Sequence, residues 1–144
     1  MIDVIVDPGS FADAPVALLE RAVHHTLGAE GVVEGEVSVA LLADPDIREL
    51  NRRHLGHDAV TDVISFALHA AGEPVLGDVY VGGDQARRQA EDEGVSAVEE
   101  MVRLAVHGTL HVLGWDHPDD ADERVDSPMW SRQERIVAEV MGGG

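Results

Sequence analysis

Three histidines within eleven residues are the clearest chemical signal in this sequence. The stretch HGTLHVLGWDH contains His107, His111 and His117 in the spacing His-x-x-x-His-x-x-Gly-x-x-His. If a helix ends at Gly114, the first two histidines lie on one face, one turn apart, and the reversing chain returns the third towards them. Three converging imidazoles can hold one metal ion with a coordination position left open. We expect one zinc ion per chain, with nickel or another divalent metal as the alternative, since imidazole suits several metals.

The residue after the first histidine argues against one use of this spacing. Zinc proteases of the same pattern have a catalytic Glu there, whereas this sequence has Gly108. Glycine has no carboxylate to accept a proton, so a zinc-dependent peptide hydrolase is the least favoured function class. Asp116, next to His117, is a candidate catalytic residue for proton handling or for orienting a ligand. Its other possible role is only to cap the turn.

Charge and residue composition restrict the class of partner. The chain has 28 Asp and Glu against 10 Lys and Arg, all of them Arg, for a net charge of −18. Such a charge disfavours general electrostatic attraction to nucleic acids or anionic membranes. With no cysteine, only His, Asp or Glu can hold a transition metal. No apolar run approaches the ~18 residues that cross a bilayer, and the short acidic N-terminus is unlike a signal peptide. We therefore expect a cytoplasmic protein with no membrane partner.

Strands and helices alternate along what we expect to be one domain, residues 1–144. The helix that carries the histidines opens with the capping box Ser96-Ala-Val-Glu99. The third strand is mostly apolar, so we expect it to be central. The order predicts an α+β fold, one mixed sheet of about four strands packed with helices, with the three-histidine site at the end of a central helix. Strands are predicted at 2–6, 36–43, 61–68 and 77–82, and helices at 14–31, 44–53 (with Asp44 as N-cap), 84–93, 97–113 and 128–141.

Three ordered blocks resemble the YbeY-type endoribonucleases, a family of metalloproteins that mature ribosomal RNA. The histidine stretch resembles the family signature, including the Gly after the first His and the Asp before the last. The upstream segment LNRRHLGHDAVTDVISFAL (50–68) resembles a second block of that family. LGDVYV (76–81) matches a further strand, and Met129 followed by Glu134 fits its C-terminal helix. The resemblance covers most of residues 36–140 in order.

The resemblance implies a fold, an activity and partners. It implies that the three histidines hold a catalytic metal, and that the protein cleaves single-stranded RNA during ribosomal RNA maturation. Its partners would be precursor ribosomal RNA and the small ribosomal subunit or assembly proteins. Asp62 and Ser65 would line the site from the third strand and contact substrate. Whether water or the RNA 2′-OH attacks, and which group is the general acid, stays open.

One departure from the family pattern concerns substrate binding. The family has an Arg four residues after the Asn of the upstream block, facing RNA phosphate, and this sequence has Leu55 there. Leucine cannot pair with phosphate. Arg52 is the candidate to bind substrate in its place, with Arg53, His54 and His57 as the alternatives. Together with the net charge, Leu55 favours an alternative: a non-catalytic ribosome-assembly factor whose metal is structural.

Overall fold

The computed structural model describes residues 1–143; Gly144, the last residue of the expected domain, lies outside the described residues. The element order is βαβαββαααα. The α+β prediction is confirmed, with four strands in one mixed sheet. The elements are β1 (Ile2–Asp7), α1 (Val16–Ala29), β2 (Gly35–Leu42), α2 (Asp44–Leu55), β3 (Val63–Ala67), β4 (Val75–Gly82), α3 (Gly83–Glu93), α4 (Ala97–Val112), α5 (Ala121–Val125) and α6 (Pro128–Gly143).

The sheet has the strand order β1-β2-β4-β3, so its two central strands are β2 and β4. β1, β2 and β4 run parallel, and β3 pairs antiparallel with β4 alone. The prediction that the third strand is central is therefore wrong. β3 is apolar because both of its faces are covered: Val63 faces Gly108 of α4, and Ile64 is buried on the opposite side. An edge strand covered on both faces has the composition of a central one.

Helix α4 is the central helix of the fold. It packs against α1, α3 and α6 and against strands β3 and β4. Its contact with the sheet is close, because a Cβ atom at Gly108 would lie 2.5 Å from Cγ1 of Val79. Likewise, a Cβ atom at Gly77 of β4 would lie 2.5 Å from Cγ1 of Val112. Two glycines, one on each surface, thus let the helix approach the sheet more closely than side chains would allow.

Both ends of α4 follow the predicted signals. The hydroxyl oxygen of Ser96 accepts a hydrogen bond of 3.0 Å from the backbone N–H of Glu99, which is the N-cap half of the predicted capping box. At the other end Gly114 has φ 97°, its N–H donates to His111 O, and the N–H of Trp115 donates to Leu110 O. These two bonds form a Schellman motif, which ends the helix and reverses the chain.

Two smaller points complete the fold. The prediction that Asp44 caps α2 is wrong: Ala43 is the N-cap, and Asp44 is the first helical residue. Its carboxylate instead accepts two hydrogen bonds of 2.9 Å from Arg88 of α3. Within residues 1–143, no helix has both the length and the apolar character needed to cross a membrane.

Candidate metal centre

The end of α4 brings three histidines together. His107 and His111 project from the last turns of the helix, and the chain reversal at Gly114 returns His117 to them. One nitrogen from each ring lies within 4.8 Å of the other two. The Nε2 atom of His107 is 3.1 Å from that of His111 and 3.3 Å from that of His117. The predicted convergence of the three imidazoles is confirmed.

Each imidazole is oriented by an oxygen atom at its other nitrogen. His107 Nδ1 lies 2.6 Å from Oε1 of Gln133, His111 Nδ1 lies 2.9 Å from the Trp115 carbonyl, and His117 Nδ1 lies 2.8 Å from the Pro118 carbonyl. Carbonyl oxygens only accept hydrogen bonds, so each Nδ1 donates and each Nε2 keeps its lone pair. With Nδ1 as the donor in each neutral ring, the three Nε2 atoms are the ones left to bind a metal ion.

This arrangement fits a divalent metal ion. A tetrahedral ion with metal–nitrogen distances of about 2.0–2.1 Å separates its ligand nitrogens by about 3.3–3.4 Å. The Nε2 separations of 3.1 and 3.3 Å are close to that value. Metal-binding histidines commonly donate their other ring N–H to a carbonyl or carboxylate, as all three do here. Three imidazoles also leave room for a further ligand.

Burial keeps the two helical imidazoles ready to bind a cation. It lowers the pKa of His107 to about 4, and the nearby His111 and His117 act in the same direction, against the hydrogen bond to Gln133 and the charge of Asp62. Burial also lowers the pKa of His111, against the hydrogen bond to the Trp115 carbonyl. Both rings are consequently neutral at pH 7, which is the form that binds metal.

Of the other candidate residues, Asp62 lies close enough to His107 for its charge to raise the pKa of that ring. It lines a cavity of about 420 Å³ together with His107, Arg103 of α4 and Trp130 of α6. Among the described residues, the Asp116 carboxylate makes no hydrogen bond to an Nε2 atom of the three histidines. Its carboxylate accepts from the backbone N–H of His117 at 2.8 Å, so it stabilises the turn that carries this histidine.

The remaining two candidates lie apart from this cavity, whose lining among the described residues includes neither Ser65 nor Arg52. Ser65 is partly buried on β3, paired with Val79 of β4. Arg52 is bound on the exposed side of α2 by Glu49, whose two carboxylate oxygens accept hydrogen bonds of 3.0 and 2.6 Å.

Leu55 is the last residue of α2, and its side chain is 51% exposed. The arginines around it are held by carboxylates: Arg48 pairs with Asp58, and Arg52 and Arg53 both pair with Glu49. For one of these arginines to bind phosphate in place of the missing Arg at position 55, its ion pair with the carboxylate would first have to break.

The structure adds a polar cluster that the sequence pattern did not indicate. Gln133 and Glu134 of α6 approach α4, where Gln133 bonds His107 and Glu134 bonds Arg103. Glu100 of α4 is 5% exposed and also accepts a hydrogen bond from Arg103. Only the i,i+4 pair of Glu99 and Arg103 had a sequence signal, and this pair is formed.

Trp115, within the histidine stretch, packs against the protein interior. Trp115 lies partly buried against the hydrophobic core, and its indole N–H donates to Oε1 of Glu30 at 2.6 Å. These contacts hold the indole against the core beside the reversed loop.

The fold and the histidine group define a single-domain α+β protein with three imidazoles able to hold a metal ion. The sequence model of the family described as Endoribonuclease YbeY matches residues 10–141. The chain therefore belongs to the YbeY endoribonuclease family.

Individual relatives match nearly the whole chain. The chain is 43% identical to the endoribonuclease YbeY of Moorella thermoacetica over 146 residues, covering 90% of this chain and 92% of that protein. It is 39% identical to the Geobacillus thermodenitrificans endoribonuclease YbeY, covering 94% and 93%. The solution structure of TM1509 from Thermotoga maritima is similar with a TM-score of 0.66 at 27% identity, covering 99% of this chain and 90% of that one.

Proposed function

We propose that this protein is a metal-dependent endoribonuclease that cleaves single-stranded RNA during ribosomal RNA maturation. The observation that carries the proposal is the group of three Nε2 lone pairs, 3.1 and 3.3 Å apart, in a chain of the YbeY family. The proposed ligands are His107, His111 and His117, holding one zinc ion per chain, with nickel next. When bound, such an ion supplies a Lewis acid for a phosphoryl oxygen and lowers the pKa of water.

The residues around the histidines have separate proposed roles. Asp62 shares the cavity beside His107, so its carboxylate is available to orient substrate or hold a proton there. Asp116 acts on the backbone of His117, and its proposed role is to keep that imidazole in place. A substrate contact by Ser65 of β3 rests on the family resemblance alone, since this residue does not line the cavity. Arg52 would contact RNA phosphate only after release from Glu49.

The net charge means that this activity would need a partner to bring the RNA to the protein. A chain with a net charge of −18 gains little from long-range attraction to RNA. A basic partner on the small ribosomal subunit, or an assembly protein, would offset the repulsion and present the RNA at close range. This role would place the protein in the cytoplasm.

The direct test is cleavage of a labelled single-stranded RNA. We expect the metal-loaded protein to cut it, the chelator-treated protein to leave it intact, and readdition of one equivalent of zinc or nickel to restore cleavage. A labelled duplex of the same sequence is the substrate control and should persist. A protein that holds one metal ion per chain and cuts neither RNA contradicts the enzymatic proposal.

The second candidate is a non-catalytic ribosome-assembly factor with a structural metal. One observation favours it: Leu55 stands at the end of α2, where the neighbouring arginines are bound by carboxylates. Chelation separates the two candidates, because a structural metal stabilises the fold itself. Under the second candidate, metal removal unfolds the protein; under the first, the circular dichroism spectrum is retained.

Leu55→Arg is expected to raise kcat/KM for RNA cleavage. A charge-assisted hydrogen bond to phosphate contributes about 1.5–3 kcal/mol, which corresponds to about tenfold or more in rate. Leu68→Arg is the matched control, since Leu68 is 53% exposed and follows the opposite end of β3 from Asp62. Equal effects of the two variants would indicate general charge rather than a phosphate contact. Metal-loaded Leu55→Arg protein that cuts nothing would favour the assembly factor.

A further inference from the structure

One of the three imidazoles is held differently from the other two. His111 and His117 donate to main-chain carbonyls, whereas His107 donates to Oε1 of Gln133, a side chain of α6. A main-chain carbonyl presents only oxygen, but a side-chain amide could rotate and present its NH2 group instead. The tautomer of His107 thus depends on whatever orients the Gln133 amide.

A carboxylate orients that amide. Nε2 of Gln133 donates to Oε2 of Glu134 at 2.9 Å. An ionised carboxylate can only accept, so the amide NH2 must face Glu134 and the amide oxygen must face His107. Gln133 is 1% exposed, so its amide depends mainly on these two protein partners for its hydrogen bonds. If the amide were rotated, its NH2 group would face the Nδ1–H of His107, and its oxygen would face the carboxylate of Glu134. Both contacts would be unfavourable in this buried place.

The carboxylate is itself fixed by a cation. Nε and Nη2 of Arg103 donate to the two oxygens of Glu134 at 2.9 and 3.0 Å. This bidentate pairing occupies both carboxylate oxygens of Glu134 with donors of a guanidinium, which stays protonated in proteins. Arg103 also bonds Glu100, at 2.8 Å, and Glu99, at 3.1 Å, and its side chain is 17% exposed. The arginine therefore has little freedom to release Glu134.

We propose that Arg103, Glu134 and Gln133 form a positioning chain that holds His107 in the Nδ1-protonated tautomer, leaving its Nε2 free for the metal. The donor is fixed in each of the three hydrogen bonds. Arg103 and Gln133 donate to Glu134, and His107 donates to Gln133. This inference rests on the proposed metal role of His107. Arg103 and His107 lie one turn apart on α4, so the chain runs out to α6 and back.

The test compares three substitutions in metal-free and zinc-titrated protein. The tautomer is measured by long-range nitrogen–proton NMR of the imidazoles, and affinity by competition with a chromophoric zinc chelator. Gln133→Met removes the acceptor at similar volume, so we expect His107 to populate the Nε2-protonated form and zinc affinity to fall about 10–100-fold. Gln133→Glu keeps an acceptor and should retain the wild-type tautomer, with affinity within a few-fold.

The matched control is Glu99→Gln, which alters an Arg103 partner that does not touch Gln133. We expect it to keep the wild-type tautomer and affinity. Glu134→Met tests the outer link, and it should give a mixture of His107 tautomers because the Gln133 amide is no longer held. A wild-type spectrum and wild-type affinity for Gln133→Met would overturn the proposal. A wild-type tautomer in Glu134→Met would limit the positioning to Gln133 and overturn the chain.

These measurements do not depend on RNA cleavage. A protein that binds zinc, responds to Gln133→Met as expected and cuts no RNA contradicts the endoribonuclease proposal and supports the positioning chain. If Gln133→Met fails to fold, the other two variants still decide the question. The positioning chain requires Gln133→Glu to keep the wild-type tautomer of His107 and Glu134→Met to give a mixture of tautomers.

Discussion

Replacing His111 with alanine is expected to remove the bound metal and RNA cleavage while the fold persists. Two imidazoles hold a divalent ion far less tightly than three. Loss of an electrostatic contribution of about 4 kcal/mol corresponds to a fall of about 1,000-fold in rate. The fold loses mainly the hydrogen bond to the Trp115 carbonyl, worth about 1 kcal/mol. Metal content by mass spectrometry, cleavage of labelled RNA and thermal unfolding together measure the effect.

His24→Ala is the matched control for that experiment. His24 lies exposed on α1, away from the three-histidine group, and its loss should leave metal content and cleavage at wild-type levels. Folded, metal-free His111→Ala protein that still cuts RNA would show that the metal is not catalytic. Unfolding of His111→Ala at ambient temperature would instead favour the structural metal of an assembly factor.

Gly108 is the second position where a substitution should have a large effect, this time on stability. Gly108→Glu is expected to prevent folding, because its Cβ would lie 2.5 Å from Cγ1 of Val79 and 3.2 Å from Cγ2 of Val63, with a carboxylate beyond. Gly108→Ala should lower the free energy of unfolding by up to about 2 kcal/mol, since overpacking costs about 1–3 and the higher helix propensity of alanine offsets about 1. Urea unfolding measures both variants.

The control for this prediction is another helical glycine. A Cβ atom at Gly28 of α1 would meet nothing within 4 Å, so Gly28→Ala should gain up to about 1 kcal/mol from helix propensity alone. If Gly108→Ala were as stable as Gly28→Ala, the close approach of α4 to the sheet would not be what requires glycine at position 108.

The packing of Gly108 explains why the protease Glu is missing from this histidine spacing. Position 108 points at Val79 and Val63 of the sheet. A general base there would displace core side chains. The glycine is a requirement of the helix–sheet interface, and a zinc-dependent peptide hydrolase of the usual kind has no place for its carboxylate.

The features that were predictable from sequence are those encoded locally. The ends of α4 follow from Ser96 and Gly114, because a cap and a left-handed glycine act within a few residues. With those ends fixed, the spacing of the histidines determines that they meet. The four strands were also recognisable from short apolar segments, with boundaries shifted by at most two residues.

The features that were not predictable depend on contacts between distant segments. Gln133 reaches His107 only because α6 packs on α4, and neither residue type nor spacing within α6 signals that contact. The burial of Glu100 depends on Gln89 of α3 as well as on Arg103. The edge position of β3 depends on which strand pairs with β4, and local apolar content does not encode that choice.

The oxygens facing His111 and His117 are main-chain carbonyl oxygens of Trp115 and Pro118. A substitution at position 115 or 118 keeps these oxygens in place as long as the backbone path is preserved. The oxygen facing His107 belongs to the side chain of residue 133 and changes with it. Mutational tolerance around the histidines is accordingly uneven. Under the proposed positioning chain, a substitution at this one residue of α6 would change metal affinity with no ligand altered.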